Sequence, residues 1–199
     1  MADTKVTLVG LAGTNGSGKD TVGQILDSRF NYLFVSVTEL LREEARLRGL
    51  EVTRENTRLI SAEWRRAHGL AVLVDKEFEQ FQSVKERYSG LVMASLRNPG
   101  EVTRLHELGG KLIWLDADPK VRYQRVIDNS HLRNRQAEDD KTFAEFMAEE
   151  EIEMNPPKGG DEATLNGSAV KAKADFFIDN TNLSIEELTS KVADCLGLK

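Results

Sequence analysis

A short apolar run at residues 6–12 leads directly into a stretch rich in glycine, which reads Gly13-Thr14-Asn15-Gly16-Ser17-Gly18-Lys19-Asp20-Thr21. Its spacing is G-x-x-x-x-G-K. Glycines let the backbone curve so that successive N–H groups point at phosphate oxygens, and the dipole of a helix that begins near Gly18 favours anions. Lys19 has the reach to contact the β- and γ-phosphates of a nucleotide. The segment therefore predicts a strand, a phosphate-binding loop and a helix in direct succession.

The residue after the lysine is Asp20, where this loop pattern usually has Ser or Thr. A hydroxyl there ligates Mg²⁺ directly, whereas the longer and charged carboxylate would hold a magnesium-bound water. Asp20 is therefore a candidate metal ligand, and capping of the following helix is the alternative. The loop residues that we expect to bind ATP are Gly13, Asn15, Gly16, Ser17, Gly18, Lys19, Asp20 and Thr21.

Apolar, strand-like runs alternate with amphipathic, helix-like runs along the chain. Strands are expected at residues 6–12, 32–37, 91–96, 111–115 and 176–178. These runs are almost continuously apolar, as in a parallel sheet that is covered on both faces. Capping boxes are predicted at Ser36 and Ser184, and Asn98 and Asp118 each precede a proline at a helix start. The pattern predicts a three-layer α/β fold, a five-stranded parallel sheet between helices, with ligands at the carboxyl ends of the strands.

Two long stretches interrupt this alternation. Residues 39–89 have a wholly helical pattern, and the polar stretch 128–174 contains one helix near residues 142–154. Insertions of this length in a small α/β domain are often lids or substrate-binding elements. We expect a single domain over residues 1–199, with a core at 1–37, 90–128 and 174–199, a helical acceptor-binding insertion at 38–89, and a lid and insertion at 129–173.

Composition narrows the class of partner. The chain has 27 Lys and Arg against 33 Asp and Glu, whereas nucleic-acid-binding proteins usually have a basic surplus. Its apolar runs are far shorter than the roughly 20 residues that span a bilayer. We expect no secretion signal before the first strand, and the single cysteine, Cys195, has no second cysteine in the sequence to pair with. We therefore expect a cytoplasmic monomer or homodimer that acts on small molecules, with no nucleic-acid or membrane partner.

Arginines are concentrated in one segment although the chain is acidic. They are Arg42, Arg46, Arg48, Arg54, Arg58, Arg65 and Arg66. Planar guanidinium groups suit bidentate phosphate binding. For most of the seven, a solvated helix face with salt bridges is the simpler interpretation, the partners being Glu39, Glu43, Glu44 and Glu51. Arg42 is the exception, because it lies one turn after a predicted strand end, on the expected ligand side.

The segment from residue 36 to residue 44, Ser-Val-Thr-Glu-Leu-Leu-Arg-Glu-Glu, resembles the part of adenylate-kinase-type enzymes whose arginine grips the acceptor's phosphate. Over nearly the whole chain, the pattern is similar to that of P-loop nucleotide kinases grouped near dephospho-CoA kinases. The Gly-Lys-Asp-Thr variant resembles that of deoxynucleoside monophosphate kinases and phosphomevalonate kinases. The resemblance implies a P-loop kinase fold, ATP with Mg²⁺ as phosphoryl donor, and a small phosphorylated acceptor bound by Thr38, Arg42 and Arg97.

The same resemblance assigns roles to later residues. Arg125 and Asn180 would bind the nucleotide. Arg133 and Arg135 lie in the polar insertion, where lid arginines of this superfamily meet the transferring phosphoryl group. The relatives end their third strand with Asp-x-Arg or Asp-x-x-Arg. Here Arg97 matches, but no acid is present at residues 94–95, where these relatives have the second carboxylate near magnesium.

The acceptor decides whether a catalytic base is needed. A phosphate oxygen is already ionised, whereas a hydroxyl must lose a proton, and a nearby carboxylate helps. Dephospho-CoA kinases have Asp-x-Asp after the second strand, where this chain has Ser-Val-Thr. The missing base and Arg42 favour a kinase of nucleoside or deoxynucleoside monophosphates. A dephospho-CoA kinase or another small-metabolite kinase is the alternative enzyme, and an ATP-binding regulator or slow NTPase is the alternative of another class.

Overall fold

A parallel sheet forms the centre of the fold. The computed structural model describes residues 7–129, 141–157 and 159–199. In these residues the strands are β1 (Leu8–Gly13), β2 (Tyr32–Ser36), β3 (Gly90–Ala94), β4 (Lys111–Asp116) and β5 (Phe176–Asp179). Their order is β2-β3-β1-β4-β5, and all neighbouring pairs are parallel. The predicted α/β class and five-stranded parallel sheet are confirmed.

Helices connect the strands and cover both faces of the sheet. They are α1 (Lys19–Phe30), α2 (Val37–Leu47), α3 (Arg54–His68), α4 (Val72–Gln82), α5 (Pro99–Glu107), α6 (Pro119–Asp128), α7 (Phe143–Met154), α8 (Gly167–Ala172) and α9 (Ile185–Leu196), with a short 3₁₀ helix at Lys85–Arg87. Strand side chains alternate between two buried apolar clusters, since Leu8 enters one and Val9 the other. This explains why the strands are almost continuously apolar.

The position of β1 fixes where the glycine-rich loop lies. Leu11 in β1 is level with Ala94 in β3 on one side and with Ile113 in β4 on the other. The loop after β1 therefore emerges near the middle of the carboxyl edge of the sheet. Ligands bind at this edge in sheets of this type.

Most of the predicted helix starts are confirmed. Ser184 Oγ accepts a hydrogen bond from the Glu187 backbone N–H at 3.2 Å, and the Glu187 carboxylate accepts one from the Ser184 N–H at 2.9 Å. Asn98 and Asp118 cap α5 and α6. The box predicted at Ser36 is wrong, because Ser36 makes no side-chain cap bond. The Glu39 carboxylate, which would complete it, accepts instead from Arg46 at 3.1 Å.

The two stretches between the strands also have the expected local structure. Helices α2, α3 and α4 with the short 3₁₀ helix lie between β2 and β3, as predicted for residues 39–89. Helix α7 matches the helix predicted near residues 142–154, and its Phe143 and Phe146 pack edge-on against Tyr123 of α6. In the described part of the chain, no helix combines the length and the apolar character that crossing a membrane requires.

Candidate functional site

A cleft of about 320 Å³ lies at the carboxyl edge of the sheet. It is lined by the glycine-rich loop and by parts of α2, α3, α6 and α7, together with the segment that follows β3. The residues predicted from the sequence that line it are Asn15, Gly16, Gly18, Lys19, Asp20, Thr21, Thr38, Arg42, Arg97 and Arg125. The fold thus brings the predicted donor-side and acceptor-side residues into one cleft.

The loop needs glycine at two positions for both conformation and space. Gly16 has φ 79° and Gly18 has φ 99°, in the left-handed region that glycine adopts without steric cost. A Cβ atom at Gly16 would lie 2.5 Å from the Arg122 carbonyl oxygen, and one at Gly18 would lie 2.5 Å from Asn180 Nδ2. Gly18 is also the N-cap of α1 and offers no side-chain acceptor. The first N–H groups of α1 therefore suit an anion.

Lys19 is folded back onto the loop. Its Nζ donates to the carbonyl oxygens of Gly13 and Thr14 at 3.0 and 2.6 Å and to Ser17 Oγ at 3.4 Å. Burial, reinforced by the positive charge of Arg97, lowers the pKa of the Lys19 ammonium to about 8. A phosphate group in the cleft would offer this charge a stronger partner than the two carbonyl oxygens.

Three residues predicted to bind ATP do not line the cleft. Asn180 Nδ2 donates to the Ser17 carbonyl oxygen at 2.9 Å, and Ser17 is fully buried. Gly13 lines a neighbouring cavity of about 40 Å³, and its carbonyl oxygen accepts from Lys19. Asn180 and Ser17 hold the loop in shape, because their hydrogen bond ties it to the end of β5.

Arg125 has a buried donor that no described residue satisfies. Its Nη2 donates to the Asn180 carbonyl oxygen at 2.9 Å, but its buried Nη1 has no hydrogen-bond partner among the described residues. An unpaired buried donor costs on the order of 1–3 kcal/mol, and this cost falls when a ligand accepts the hydrogen bond. Arg125 as a residue lines the cleft, so its side chain is a candidate contact for a nucleotide.

The residues present also fit magnesium bound together with a nucleotide. Asp20 lies in the first turn of α1 and lines the cleft. In the described ranges, no group of three or more His, Cys, Asp or Glu side chains is arranged to hold a metal ion. Mg²⁺ in nucleotide sites commonly uses one or two carboxylates with phosphate oxygens and water, so a single carboxylate at Asp20 is sufficient.

The segment after β3 carries Arg97 into the cleft through a sharp turn. Ser95 has φ 72°, which is unusual for a residue other than glycine. The backbone N–H groups of Ser95 and Leu96 both donate to the Leu11 carbonyl oxygen, at 2.9 and 3.3 Å. Strand β3 therefore ends at Ala94, two residues earlier than predicted. Both Ser95 and Arg97 line the cleft.

A buried ion pair holds this turn. Arg65 on α3 donates to Glu101 Oε1 from Nε at 3.1 Å and from Nη2 at 2.7 Å. The other carboxylate oxygen, Oε2, accepts from the backbone N–H groups of Arg97 and Asn98 at 2.8 and 3.0 Å. Glu101 thereby connects α3 to the backbone that presents Arg97. No local sequence pattern predicts this role, because Arg65 and Glu101 lie on separate helices.

Further charged residues of the cleft were not predicted as site residues. They are Arg54, Arg58 and Arg65 on α3 and Glu153 on α7. Arg46 and Arg48 form the expected local ion pairs, to Glu39 and Glu44. Arg54 and Arg58 instead form ion pairs with two glutamates of α7, Glu149 and Glu153. The sequence does contain one signal for these contacts. Arg54 and Arg58 are four residues apart on α3, so their side chains lie on one helix face, and the same holds for Glu149 and Glu153 on α7.

Glu153 also corrects the expectation that the acceptor side has no carboxylate. The acid is missing after β2, as predicted, but α7 brings the carboxylate of Glu153 into the cleft from a distant part of the chain. Arg133 and Arg135, predicted to act from the lid, lie outside the described residues. Their roles stay predictions.

Comparison with solved structures agrees with this fold. A shikimate kinase from Bacteroides thetaiotaomicron matches with a TM-score of 0.57 and 16% identity, over 96% of this chain and 98% of that one. A shikimate kinase from Acinetobacter baumannii in complex with shikimate matches with a TM-score of 0.52 and 14% identity, over 96% and 93% of the two chains. The sheet and the glycine-rich loop thus have the fold of the P-loop kinases, and the predicted fold is confirmed.

Comparison with other sequences shows the family to which the chain belongs. A protein-family model described as an AAA domain matches residues 9–150 of this chain. A UPF0200 protein of Pyrobaculum aerophilum is 30% identical over 193 residues, which cover 96% of this chain and 97% of that protein. A UPF0200 protein of Hyperthermus butylicus is 28% identical over 198 residues, covering 99% and 97%. The chain belongs to the UPF0200 family, within the P-loop proteins that the AAA domain model describes.

Proposed function

We propose that this protein transfers a phosphoryl group from ATP to a small phosphorylated acceptor, most readily a nucleoside or deoxynucleoside monophosphate. One observation carries the proposal. Lys19, on the donor side, shares a single cleft with Arg42 and Arg97, on the acceptor side. Phosphoryl transfer is catalysed almost entirely by positioning and by neutralisation of charge, and these three cations supply both.

On the donor side, the loop would hold the phosphates of ATP. The N–H groups at the start of α1 and the Lys19 ammonium would bind the β- and γ-phosphates, and Thr21 the α- or β-phosphate. Arg125, which lines the cleft from α6, would contact the nucleotide. Asp20 would hold a water of bound Mg²⁺, an ion that would supply further neutralisation of phosphate charge.

On the acceptor side, the low basicity of Glu153 favours a phosphate over a hydroxyl. Burial opposes the charged form of Glu153, but Arg97 and Arg58 outweigh it and lower the pKa of the carboxyl to about 2. A general base works best when its pKa lies near the working pH, so this carboxylate is a weak base. A phosphate acceptor needs none. Because a carboxylate does lie in the cleft, a kinase of a hydroxyl acceptor such as dephospho-CoA is the second candidate.

The direct test is release of ADP in the presence of different acceptors. Purified protein with ATP and Mg²⁺ is assayed with nucleoside and deoxynucleoside monophosphates, with dephospho-CoA, and with no acceptor. We expect ADP release that depends on a monophosphate. Release only with dephospho-CoA would favour the second candidate, and equal release without acceptor would favour a slow NTPase.

The Arg42→Ala variant tests the assignment of the acceptor side. Arg42 is buried on α2 and lines the cleft. Losing a charge-assisted contact to phosphate costs on the order of 2–3 kcal/mol, so the acceptor KM should rise about thirty- to a hundred-fold. The ATP KM should change little. Arg46→Ala is the control, because Arg46 lies one turn further along the same helix but is exposed and does not line the cleft. Equal weakening of ATP and acceptor binding by Arg42→Ala would refute the assignment.

The lowered pKa of Lys19 predicts how ATP binding depends on pH. Phosphate binds the charged ammonium, so the bound complex has a higher pKa than the value of about 8 in the free protein. Above pH 8, binding therefore takes up a proton, and affinity should fall by up to about tenfold per pH unit. Below pH 8, Lys19 should contribute no pH dependence. Titration with a non-hydrolysable ATP analogue from pH 7 to 9.5 measures this, and the slope should be absent in Lys19→Ala.

A further inference from the structure

The carboxylate of Glu153 is bound by two arginines from different elements. Arg97 Nη1, from the segment after β3, donates to Oε2 at 2.6 Å, and Arg58 Nη2, on α3, donates to Oε1 at 2.5 Å. Both carboxylate oxygens are therefore occupied by guanidinium groups. All three side chains line the cleft that holds the glycine-rich loop. An anion already lies where two cleft arginines converge.

A second ion pair between the same two helices helps to fix the position of the Glu153 carboxylate. Arg54 Nη1 on α3 donates to Glu149 Oε2 on α7 at 2.6 Å, one helical turn before the contact between Arg58 and Glu153. The two pairs follow the same order along both helices, with a spacing of four residues in each. Lys141 adds a contact to Glu149 at 2.6 Å. Helix α7 is thus fastened to α3 on the face that delivers Glu153 to the cleft.

We propose that Glu153 is a specificity-determining residue of the acceptor site. Its carboxylate occupies the position between Arg58 and Arg97, and the acceptor's phosphate must displace it from there. This inference rests on the proposed function, since it assigns the two arginines to the acceptor. It also defines the acceptor more narrowly. The group that replaces Glu153 must carry more negative charge than a single carboxylate.

The selectivity follows from competition between a tethered and a free anion. Glu153 is part of the chain, so its effective concentration at the two arginines is far above that of a dissolved ligand. A free carboxylate has the same charge and geometry and gains nothing by exchange. A phosphate monoester carries about −1.5 to −2 charges at pH 7 and offers three acceptor oxygens, so it binds the same guanidinium groups more strongly.

The competing interpretation is that Glu153 only positions Arg58 and Arg97 for the acceptor. The two interpretations predict different changes in anion affinity for the Glu153→Gln variant. If Glu153 competes, removing its charge strengthens binding of a free anion. If Glu153 positions the arginines, the same change leaves anion binding equal or weaker.

Calorimetric titration with inorganic phosphate and, separately, with acetate distinguishes them. We expect Glu153→Gln to bind phosphate about tenfold more tightly than the wild type, as loss of a charge-assisted competitor implies. Acetate should bind the variant measurably and the wild type not at all. Glu151→Gln is the matched control, because it removes the same charge from the exposed face of α7 and keeps an oxygen for Asn155. It should behave as the wild type.

Adding Arg97→Ala to Glu153→Gln locates the effect. The gain in phosphate affinity should disappear in the double variant, which excludes binding at the glycine-rich loop as its source. If Glu153→Gln does not fold, Glu153→Asp keeps the charge but shortens the reach, and phosphate should still bind more tightly than to the wild type. Unchanged or weaker phosphate binding by the folded variant, or wild-type binding of acetate as tight as that of phosphate, overturns the inference.

These outcomes separate the inference from the proposed function. Phosphate and acetate titrations need no catalysis. The expected order of affinities in a protein that phosphorylates no acceptor would support the role of Glu153 and refute the kinase proposal. Phosphorylation of a nucleoside monophosphate together with unchanged phosphate binding in Glu153→Gln would do the reverse.

Discussion

Lys19→Ala should abolish measurable phosphoryl transfer while the protein remains folded. Lys19 is the cation of the glycine-rich loop, and it would neutralise charge that develops on the transferring group. Removing one such preorganised contact costs about 10²–10³ in kcat in other enzymes, and the loss here should be at least that large. The fold should tolerate the change, because burial disfavours the charged form of Lys19 and lowers its pKa.

The measurement is acceptor-dependent release of ADP, with thermal unfolding recorded on the same samples. Lys120→Ala is the matched control, since Lys120 is an exposed residue in the first turn of α6 and does not line the cleft. It should retain wild-type turnover. Turnover near that of the wild type in Lys19→Ala would show that the catalytic site lies elsewhere.

Local sequence patterns were enough to predict the framework of the fold. The number and order of strands along the chain, the glycine-rich loop and the caps at Asn98, Asp118 and Ser184 depend on neighbouring residues only, and the structure confirms them. The cap at Ser36 was wrong for a related reason. Its predicted partner Glu39 forms ion pairs with Arg42 and Arg46 along α2 instead of the capping hydrogen bond.

The acceptor side depended on contacts that local patterns do not specify. Arg54 and Arg58 are each 95 residues from their partners on α7. The sequence shows that both helices carry charges four residues apart, but not that the two charged faces meet. The expected local glutamates were a reasonable default for exposed helices, and only the tertiary arrangement replaces them with a carboxylate inside the cleft.

The turn after β3 was equally hidden from the sequence. Nothing in a serine predicts a positive φ, and Ser95 adopts one because the Leu11 carbonyl oxygen accepts two consecutive N–H groups there. Strained backbone of this kind persists where surrounding contacts determine it, and it is common at functional sites. Glu101 accepts hydrogen bonds from the backbone N–H groups of Arg97 and Asn98, two and three residues after Ser95.

Glu101→Ala is therefore expected to destabilise the protein by about 3–5 kcal/mol. The Glu101 side chain is 0% exposed and its partner Arg65 is 2% exposed, so the variant leaves a buried guanidinium without its carboxylate. It also removes the acceptor of two backbone N–H groups. Since the free energy of unfolding of small proteins is only about 5–15 kcal/mol, this loss is a large part of the total stability.

Urea unfolding measures this loss, and the same helix provides the control. Glu107 on α5 pairs with Arg104 at 3.1 Å, but both side chains are substantially exposed. Glu107→Ala should change the free energy of unfolding by less than about 1 kcal/mol, because exposed ion pairs are screened by water. If Glu101→Ala costs no more than Glu107→Ala, the Arg65–Glu101 pair does not hold the turn. If the loss is as large as expected, Glu101→Gln, which keeps an oxygen for the two N–H groups, should lose less stability than the alanine variant and retain more of its acceptor affinity through Arg97.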